Sequence, residues 1–209
     1  MSLAEIRQFF DVFAKDWDNH FSSERLQRLR HIFAHNLSFL KGPILDLGCG
    51  TGILLEIFAN QLRTPPSLIA ELDISFRMLR QIPSKRTLFP FSFSPLQADG
   101  GQLPFKSECF NTVMAFQVFP HFTEPEQTTD EVYRVLKPGG YFCVLHLDDH
   151  HTLNDMHRKL DPAVQNHNLP SAKDLQRFFI RRGFTAVRCA ERRGLYLVLM
   201  QKTPYFEQD

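Results

Sequence analysis

The sequence has few of the features that mark specialised protein classes. Its four cysteines include no C-x-x-C pair, so neither a zinc motif nor a redox motif is spelled out. No apolar run approaches the roughly 20 residues of a membrane span, and the N-terminus lacks the apolar region of a signal peptide. The formal net charge of +1 provides no excess of cations for nucleic acid. We therefore expect a cytoplasmic protein with no membrane span and no nucleic-acid partner.

The composition that is present is ordinary for a globular protein, except for its phenylalanines. Hydrophobic residues make up 43% and charged residues 22% of the 209 residues, which fits one α/β domain. The 21 phenylalanines have two interpretations. They fill the core, where aromatic side chains dominate packing, or some of them line a pocket for an apolar substrate.

Short apolar runs alternate with segments of helical spacing, which predicts a mostly parallel, doubly wound α/β sheet. In residues 88–99, Pro90 and Pro95 predict a loop or an edge segment entering a strand. The final two strands leave no room for a crossover helix, so they should form an antiparallel hairpin. This final pair is predicted at about residues 184–191 and 195–201, and the other strands at residues 44–47, 68–75, 110–118 and 141–147.

Helices are expected between these strands and before the first of them. Thr123 and Glu126 have the spacing of a capping box, and Ser171 is expected to cap the last helix. Residues 148–170 are polar and histidine-rich, with partial helical character. The other helical segments are predicted at residues 5–14, at 24–40, from 54 to 62, around Met78 and Leu79, and after Pro125 as far as residue 136.

Three glycines follow the first strand in the segment ILDLGCGTG, residues 44–52. Glycine lets the backbone turn sharply and approach a ligand closely. A dinucleotide fingerprint, G-x-G-x-x-G, would place its third glycine at position 53, where this sequence has Ile53. The turn is therefore of the ligand-binding type but argues against a nicotinamide cofactor.

Acidic residues accompany the glycine turn along the chain. Asp46 lies in the first strand, and Asp73 closes the second strand, where an acid is expected to bind ribose hydroxyls. Asp99 follows the proposed third strand, near the same edge of the sheet. Together with the glycines, these carboxylates predict a pocket for a ligand that carries a ribose.

Five ordered segments resemble class I S-adenosylmethionine-dependent methyltransferases, in the group that includes quinone-biosynthesis enzymes. They are ILDLGCGTG, AELDIS running into RML, ADGGQLPF, FNTVMAFQVFPHF and RVLKPGGYF, and the resemblance covers roughly residues 9–147. It implies a Rossmann-like, seven-stranded fold with a terminal antiparallel hairpin and an N-terminal helical lid. Asn111 departs from the aspartate often found there, and Leu72 from the usual small valine, and neither is a cofactor residue.

The resemblance also implies roles for individual residues toward S-adenosyl-L-methionine. The implied contacts are Asp46, Gly48, Gly50 and Gly52 around the methionine moiety, Asp73 on both ribose hydroxyls, Ile74 and Asp99 on the adenine with Gly100 beside them, Phe116 and Gln117 near the methyl-bearing sulfur, and Trp17 on the lid.

We expect a single domain, 1–209, with four parts. Residues 1–41 are predicted as the helical lid and 42–147 as the cofactor-binding core. Residues 148–170 are predicted as a second lid over the substrate, and 171–209 as the final helix and hairpin.

Methyl transfer needs alignment of the reactants more than it needs a triad, so the sequence points only weakly to catalytic residues. His146 ends the fifth strand and His121 follows the fourth, and both are candidates for acid–base catalysis. The histidines of residues 146–167 have two other interpretations, a hydrogen-bonded polar segment or contacts to a metal. The H-E-x-x-H spacing is absent, so no metal ligand is predicted.

Two functions remain open at this point. The first is an enzyme that methylates a small molecule, apolar or aromatic given the phenylalanine-rich lid segments. The second is a non-catalytic S-adenosylmethionine-binding sensor or scaffold. The sequence gives neither the acceptor nor the oligomeric state.

Overall fold

The structure is a computed structural model that describes residues 2–82, 91–160 and 164–204. Phe89 and Pro90, which belong to the predicted edge segment, lie outside the described residues. Within the described ranges, no helix combines the length and the apolar character needed to cross a bilayer.

The described residues form one mixed sheet of seven strands. The strands are β1 Ile44–Leu47, β2 Leu68–Asp73, β3 Ser92–Gln97, β4 Phe110–Phe116, β5 Leu136–His146, β6 Phe184–Arg192 and β7 Leu195–Lys202. Their spatial order is β3-β2-β1-β4-β5-β7-β6. The first five strands pair in parallel, and β7 is antiparallel to both of its neighbours. The predicted doubly wound sheet with a terminal hairpin is confirmed.

Helices pack on both faces of the sheet and enclose two hydrophobic cores. Ile44 packs in one core and Leu45 and Leu47 in the other, because successive side chains of a strand point to opposite faces. The helices are α1 Leu3–Phe13, α2 Ser23–Ile32, α3 Leu54–Gln61, α4 Phe76–Leu79, α5 Pro125–Val135, α6 His150–His157 and α7 Ala172–Ile180.

Most predicted helices are present, with short irregular turns added to them. The helix predicted over residues 24–40 is regular only in α2 and continues as a π-helical turn, Phe33–Leu37. Short 3₁₀ turns occupy Trp17–His20 and Phe119–His121. Ser171 caps α7 as predicted, since its side chain accepts a hydrogen bond from the Asp174 amide.

The capping box predicted for Thr123 and Glu126 is wrong. The residue before α5 is Glu124, and no side chain caps the first turn of that helix. Pro125 occupies the start of the helix, where its missing N–H leaves no donor unsatisfied. The start of α5 is therefore set by Pro125 and not by a capping side chain.

The predicted start of the fifth strand is also wrong. We expected the strand at residue 141, but β5 begins at Leu136, which pairs with Phe110. The register then shifts between Phe110 and Thr112. Gly139 has a φ of 75°, which lets the lysine-proline-glycine-glycine segment pass through this irregularity within the strand.

Candidate functional site

The candidate site lies at the carboxyl edge of the sheet, beside β1. This strand has β2 on one side and β4 on the other. The crevice at such a switch in strand order is where open α/β sheets bind ligands. The glycine turn, the end of β2 and the end of β4 all open onto it.

The glycine turn has a backbone that other residues adopt only under strain. Gly48, Gly50 and Gly52 have φ values of 74°, 56° and 76°. The amides of Gly48 and Cys49 both donate to the Leu72 carbonyl, at 2.7 and 3.0 Å, which ties the turn to β2. A Cβ at Gly48 would lie 2.3 Å from the Val118 side chain. Glycine is therefore required at position 48 by both conformation and space.

Asp73, at the end of β2, joins the glycine turn to the segment that begins α4. Its two carboxylate oxygens accept hydrogen bonds from the Gly50 and Ser75 amides, both at 2.8 Å. Burial raises the Asp73 pKa to about 6, although these amide bonds act in the opposite direction. The carboxylate thus has its orientation fixed at the cavity wall.

Asp46 is a buried carboxylate with no partner among the described residues. It is 1% exposed, and neither of its oxygens has a hydrogen bond there. Burial, followed by the charge of Asp73, raises the Asp46 pKa well above its usual range. A buried carboxylate is normally paired, and Asp46 lines the cavity. The site is therefore suited to a ligand that brings a cationic group, such as an α-ammonium.

A single cavity of about 450 Å³ brings the predicted residues together. The predicted residues that line it are Trp17, Asp46, Gly48, Gly50, Asp73, Ile74, Asp99, Gly100, Phe116, Gln117 and His121. Gly52 and His146 do not. Gly52 supports the turn from behind, since a Cβ there would meet Leu55 at 3.1 Å.

The N-terminal helix contributes an apolar wall that the sequence interpretation left without named residues. Ile6, Phe10 and Phe13 of α1 line the cavity. Phe10 packs edge-on against Trp17 and against His121, with ring centroids 5.6 and 5.1 Å apart. The spacing of these side chains along α1 was a signal that could have identified them, since residues three to four apart share one helix face.

Gln117 is held at the end of β4 by a side chain that the sequence interpretation also missed. Its φ is 54°, which is uncommon for a residue other than glycine. Arg25 donates to Gln117 Oε1 at 3.3 Å and to the Asp148 carboxylate at 3.0 Å. Arg25 also lines the cavity, so α2 connects the ends of β4 and β5 at the site.

Three histidines meet at the cavity wall. His121 Nδ1 lies 2.7 Å from His167 Nδ1, and His157 Nδ1 lies 2.6 Å from the His167 carbonyl oxygen. Burial is the main cause that lowers the pKa of all three side chains. His121 and His157 line the cavity. The three imidazoles are therefore neutral at neutral pH.

His146 lies behind this wall. It is 1% exposed, neither ring nitrogen has a hydrogen-bond partner among the described residues, and Tyr196 packs edge-on against it at 5.5 Å. Burial lowers its pKa to about 3. Across the described ranges, no group of three or more histidine, cysteine or acidic side chains could hold a metal ion. The acid–base role predicted for His146 remains a prediction.

Comparison with known proteins is consistent with this geometry. Residues 45–144 match the methyltransferase domain family. The chain is 30% identical to cycloartenol-C-24-methyltransferase 1 of Oryza sativa subsp. japonica over 172 residues, which are 78% of this chain and 49% of that protein. It is 31% identical to demethylmenaquinone methyltransferase of Symbiobacterium thermophilum over 146 residues, 67% of this chain and 58% of that one.

The chain spans about half the length of these curated relatives. Among solved structures, an S-adenosylmethionine-dependent methyltransferase from Aquifex aeolicus superposes with a TM-score of 0.69. It covers 92% of this chain and 98% of its own, at 16% identity. That likeness shows the fold.

Proposed function

We propose that this chain, whose residues 45–144 form a class I S-adenosylmethionine-dependent methyltransferase domain, methylates an apolar small molecule by in-line displacement. The cofactor is S-adenosylmethionine. One observation carries the proposal: a single cavity has the acidic residues of the cofactor pattern on one wall and apolar lid side chains on another. Such a cavity offers one wall to the cofactor and another to an apolar acceptor.

Asp46, Asp73, Ile74 and Asp99 line one side of the cavity, which we call the cofactor wall. These residues fit the chemical groups of S-adenosylmethionine. Asp46 would pair with the α-ammonium, which supplies the cation that this carboxylate lacks. Asp73, fixed by two backbone amides, would accept hydrogen bonds from the ribose hydroxyls. Asp99 and Ile74 line the same cavity, where they would bind the adenine. The bound cofactor supplies an activated methyl group on a sulfonium.

The contribution of the chain to the reaction is alignment and exclusion of water. Phe116 and Gln117 lie at the end of β4, between the cofactor wall and the lid, and would border the reacting methyl group. Holding two reactants in line replaces a bimolecular encounter with an intramolecular one. The phenylalanines of α1 line the cavity, where they would keep water away from the sulfonium.

The lining of the lid side indicates an apolar acceptor. Phe9, Phe10 and Phe13 of α1 and Leu153 and Met156 of α6 all line the cavity. The matched relatives are named for cycloartenol and demethylmenaquinone, and both compounds are largely hydrocarbon. We propose an acceptor of this general kind for the present chain, with a polar group at the reacting atom.

Of the two histidines predicted to act as catalysts, His121 is the better placed, because it lines the cavity. His146 is enclosed and would act on the reaction through its neighbours. The sequence-based expectation for His146→Ala is lower turnover with nearly unchanged cofactor affinity. If cofactor binding falls as much as turnover does, the assignment of His146 to the reaction is wrong.

Two measurements test the function. Calorimetric titration with S-adenosylmethionine and with NAD should give binding of the first alone. Release of S-adenosylhomocysteine in the presence of apolar phenols, quinols and sterols should then identify an acceptor. Cofactor binding without release for any acceptor class would favour the alternative, a non-catalytic sensor or scaffold. Absence of cofactor binding would contradict both.

A further inference from the structure

The histidine cluster draws its members from three separate parts of the chain. His121 ends the 3₁₀ turn after β4, His157 ends α6, and His167 lies 46 residues beyond His121. The His121 ring centroid is 5.2 Å from that of His157 and 5.0 Å from that of His167. The fold therefore assembles a group that no local motif in the sequence encodes.

The contacts within the cluster define where hydrogens lie. Two imidazole nitrogens 2.7 Å apart are hydrogen-bonded only when one carries a hydrogen and the other does not. The Nδ1 atoms of His121 and His167 thus share one hydrogen. The His157 Nδ1 must carry its own hydrogen, because its partner is a carbonyl oxygen, which only accepts. This bond fixes the backbone of His167 against α6.

The surroundings of His121 keep the pair neutral. Burial lowers its pKa well below the usual value, and so do the charges that His157, His167 and His146 would carry if protonated. A neutral imidazole can take a proton from a substrate and pass on another through its second nitrogen. Neutrality also avoids repulsion between the cluster and a sulfonium in the same cavity.

The pair connects the cavity with solvent. His121 lines the cavity. His167 is half-buried, and its chain neighbours Asn166 and Asn168 are exposed. The bond of Asn154 with the Leu169 backbone, made in both directions at 2.9 and 2.8 Å, secures this outer segment on α6.

We propose that His121 and His167 form a path that carries the proton of the acceptor out of the cavity, an inference that rests on the proposed methyltransferase function. As the acceptor atom bonds to the methyl carbon, the carbon–sulfur electrons stay on sulfur and the acceptor proton moves to Nε2 of His121. The Nδ1 hydrogen of His121 then passes to Nδ1 of His167, whose Nε2 releases a proton to water. Exchange with water between turnovers restores the starting tautomers.

Nuclear magnetic resonance of the full chain with ¹⁵N-labelled histidine tests the path without an acceptor. The expected signal is a scalar coupling between the Nδ1 atoms of His121 and His167, across one N–H···N bond. In His167→Phe, which keeps a ring but removes the nitrogens, hydrogen exchange of the His121 imidazole with water should slow by about a hundredfold. The control is His35→Phe, the same substitution at an exposed histidine outside the cluster, whose Nδ1 bonds the His31 carbonyl.

The direction of the change separates a proton path from a structural role. Loosened packing would speed hydrogen exchange of His121, so unchanged or faster exchange in His167→Phe would overturn the proposal. A missing coupling in the unsubstituted chain would also overturn it, whether or not the variant folds. Titration with S-adenosylmethionine is run on the same samples. If S-adenosylmethionine binds normally but the coupling between the two Nδ1 atoms is missing, only the proton path is wrong. If S-adenosylmethionine does not bind, the proposed methyltransferase function is wrong as well.

Discussion

Two walls of one cavity respond in opposite ways to the same burial. On the cofactor wall, burial raises the pKa of Asp46 and Asp73, because it disfavours their charged forms. His121 and His157 line another wall of the cavity, which we call the histidine wall. There, burial lowers the pKa of both side chains for the same reason. Both walls therefore tend toward neutrality in the absence of a ligand.

The difference between the walls lies in what restores the charge. A cationic ligand favours ionised carboxylates, so we propose that S-adenosylmethionine would complete the cofactor wall. The histidine wall gains charge only from a proton, which the proposed reaction supplies. Burial thus leaves carboxylates on one wall that a cationic ligand would ionise, and neutral imidazoles on the other wall, each with one nitrogen that carries no hydrogen. Variants that change one wall at a time test this difference.

The largest expected effect is on the cofactor wall, at Asp73. In Asp73→Asn, the loss of a charged acceptor should weaken S-adenosylmethionine binding by about 100-fold or more in a calorimetric titration. Glu71→Gln is the matched control, because Glu71 is a buried acid of the same strand that does not line the cavity. Equal losses in both variants would contradict a direct role for Asp73.

A smaller effect is expected from the backbone of the same wall. Gly48→Ala places a side chain at a φ of 74° and against Val118, and should lower the free energy of unfolding by about 2 kcal/mol. Gly101→Ala has no such conformation and only ordinary contacts, so it should unfold like the unsubstituted chain. Denaturant unfolding measures both. Equal stability of the two variants would show that the turn is not constrained.

The pH dependence of stability tests whether the histidines behind and along this wall are neutral in the fold. The His146 pKa falls from 6.5 in the unfolded chain to about 3 in the fold, so below pH 6.5 only the unfolded chain takes up the proton. Stability is therefore lost as pH falls through this window, by about 1.4 kcal/mol for each pH unit from this one group. His146→Leu should reduce that slope in denaturant unfolding between pH 6.5 and 4. An unchanged slope would mean that His146 is protonated in the fold.

The smallest effect is expected where the outer segment of the histidine wall is fastened. Asn154→Ala removes both hydrogen bonds to Leu169 and should lower the unfolding free energy by about 1 kcal/mol. Cofactor affinity should not change, since Asn154 does not line the cavity. A large loss of cofactor binding would show that the two walls are not independent.

The two walls also differ in how far the sequence could predict them. Most of the cofactor wall follows from local patterns: glycines after a strand, and acids at strand ends, which the parallel sheet brings to one edge. The pairing of His121 with His167 was not predicted, because it depends on how the segment after α6 packs back onto the turn after β4. The same holds for Arg25 and Gln117, which come together only in the fold.

Errors along the chain had similar causes. The spacing of Thr123 and Glu126 matched a capping box, but Pro125 fixed the start of α5 one residue later. The fifth strand was predicted only from residue 141, but pairing of Leu136 with Phe110 draws the segment before it into β5. In both places, a tertiary or steric constraint decided the structure against the local pattern.

The central claim is that Asp46 is buried without a partner so that it can bind the cationic group of S-adenosylmethionine. Its raised pKa means that stability is lost as pH rises above the unfolded value of 3.8, and Asp46→Asn removes this loss at pH 7.

The most direct test therefore measures two quantities on Asp46→Asn at pH 7, the midpoint of thermal unfolding without ligand and the affinity for S-adenosylmethionine. We predict a higher midpoint, by about 2–4 °C for each kcal/mol gained, together with weaker binding. A lower midpoint with unchanged binding would contradict the claim, because Asp46 would then be a structural residue.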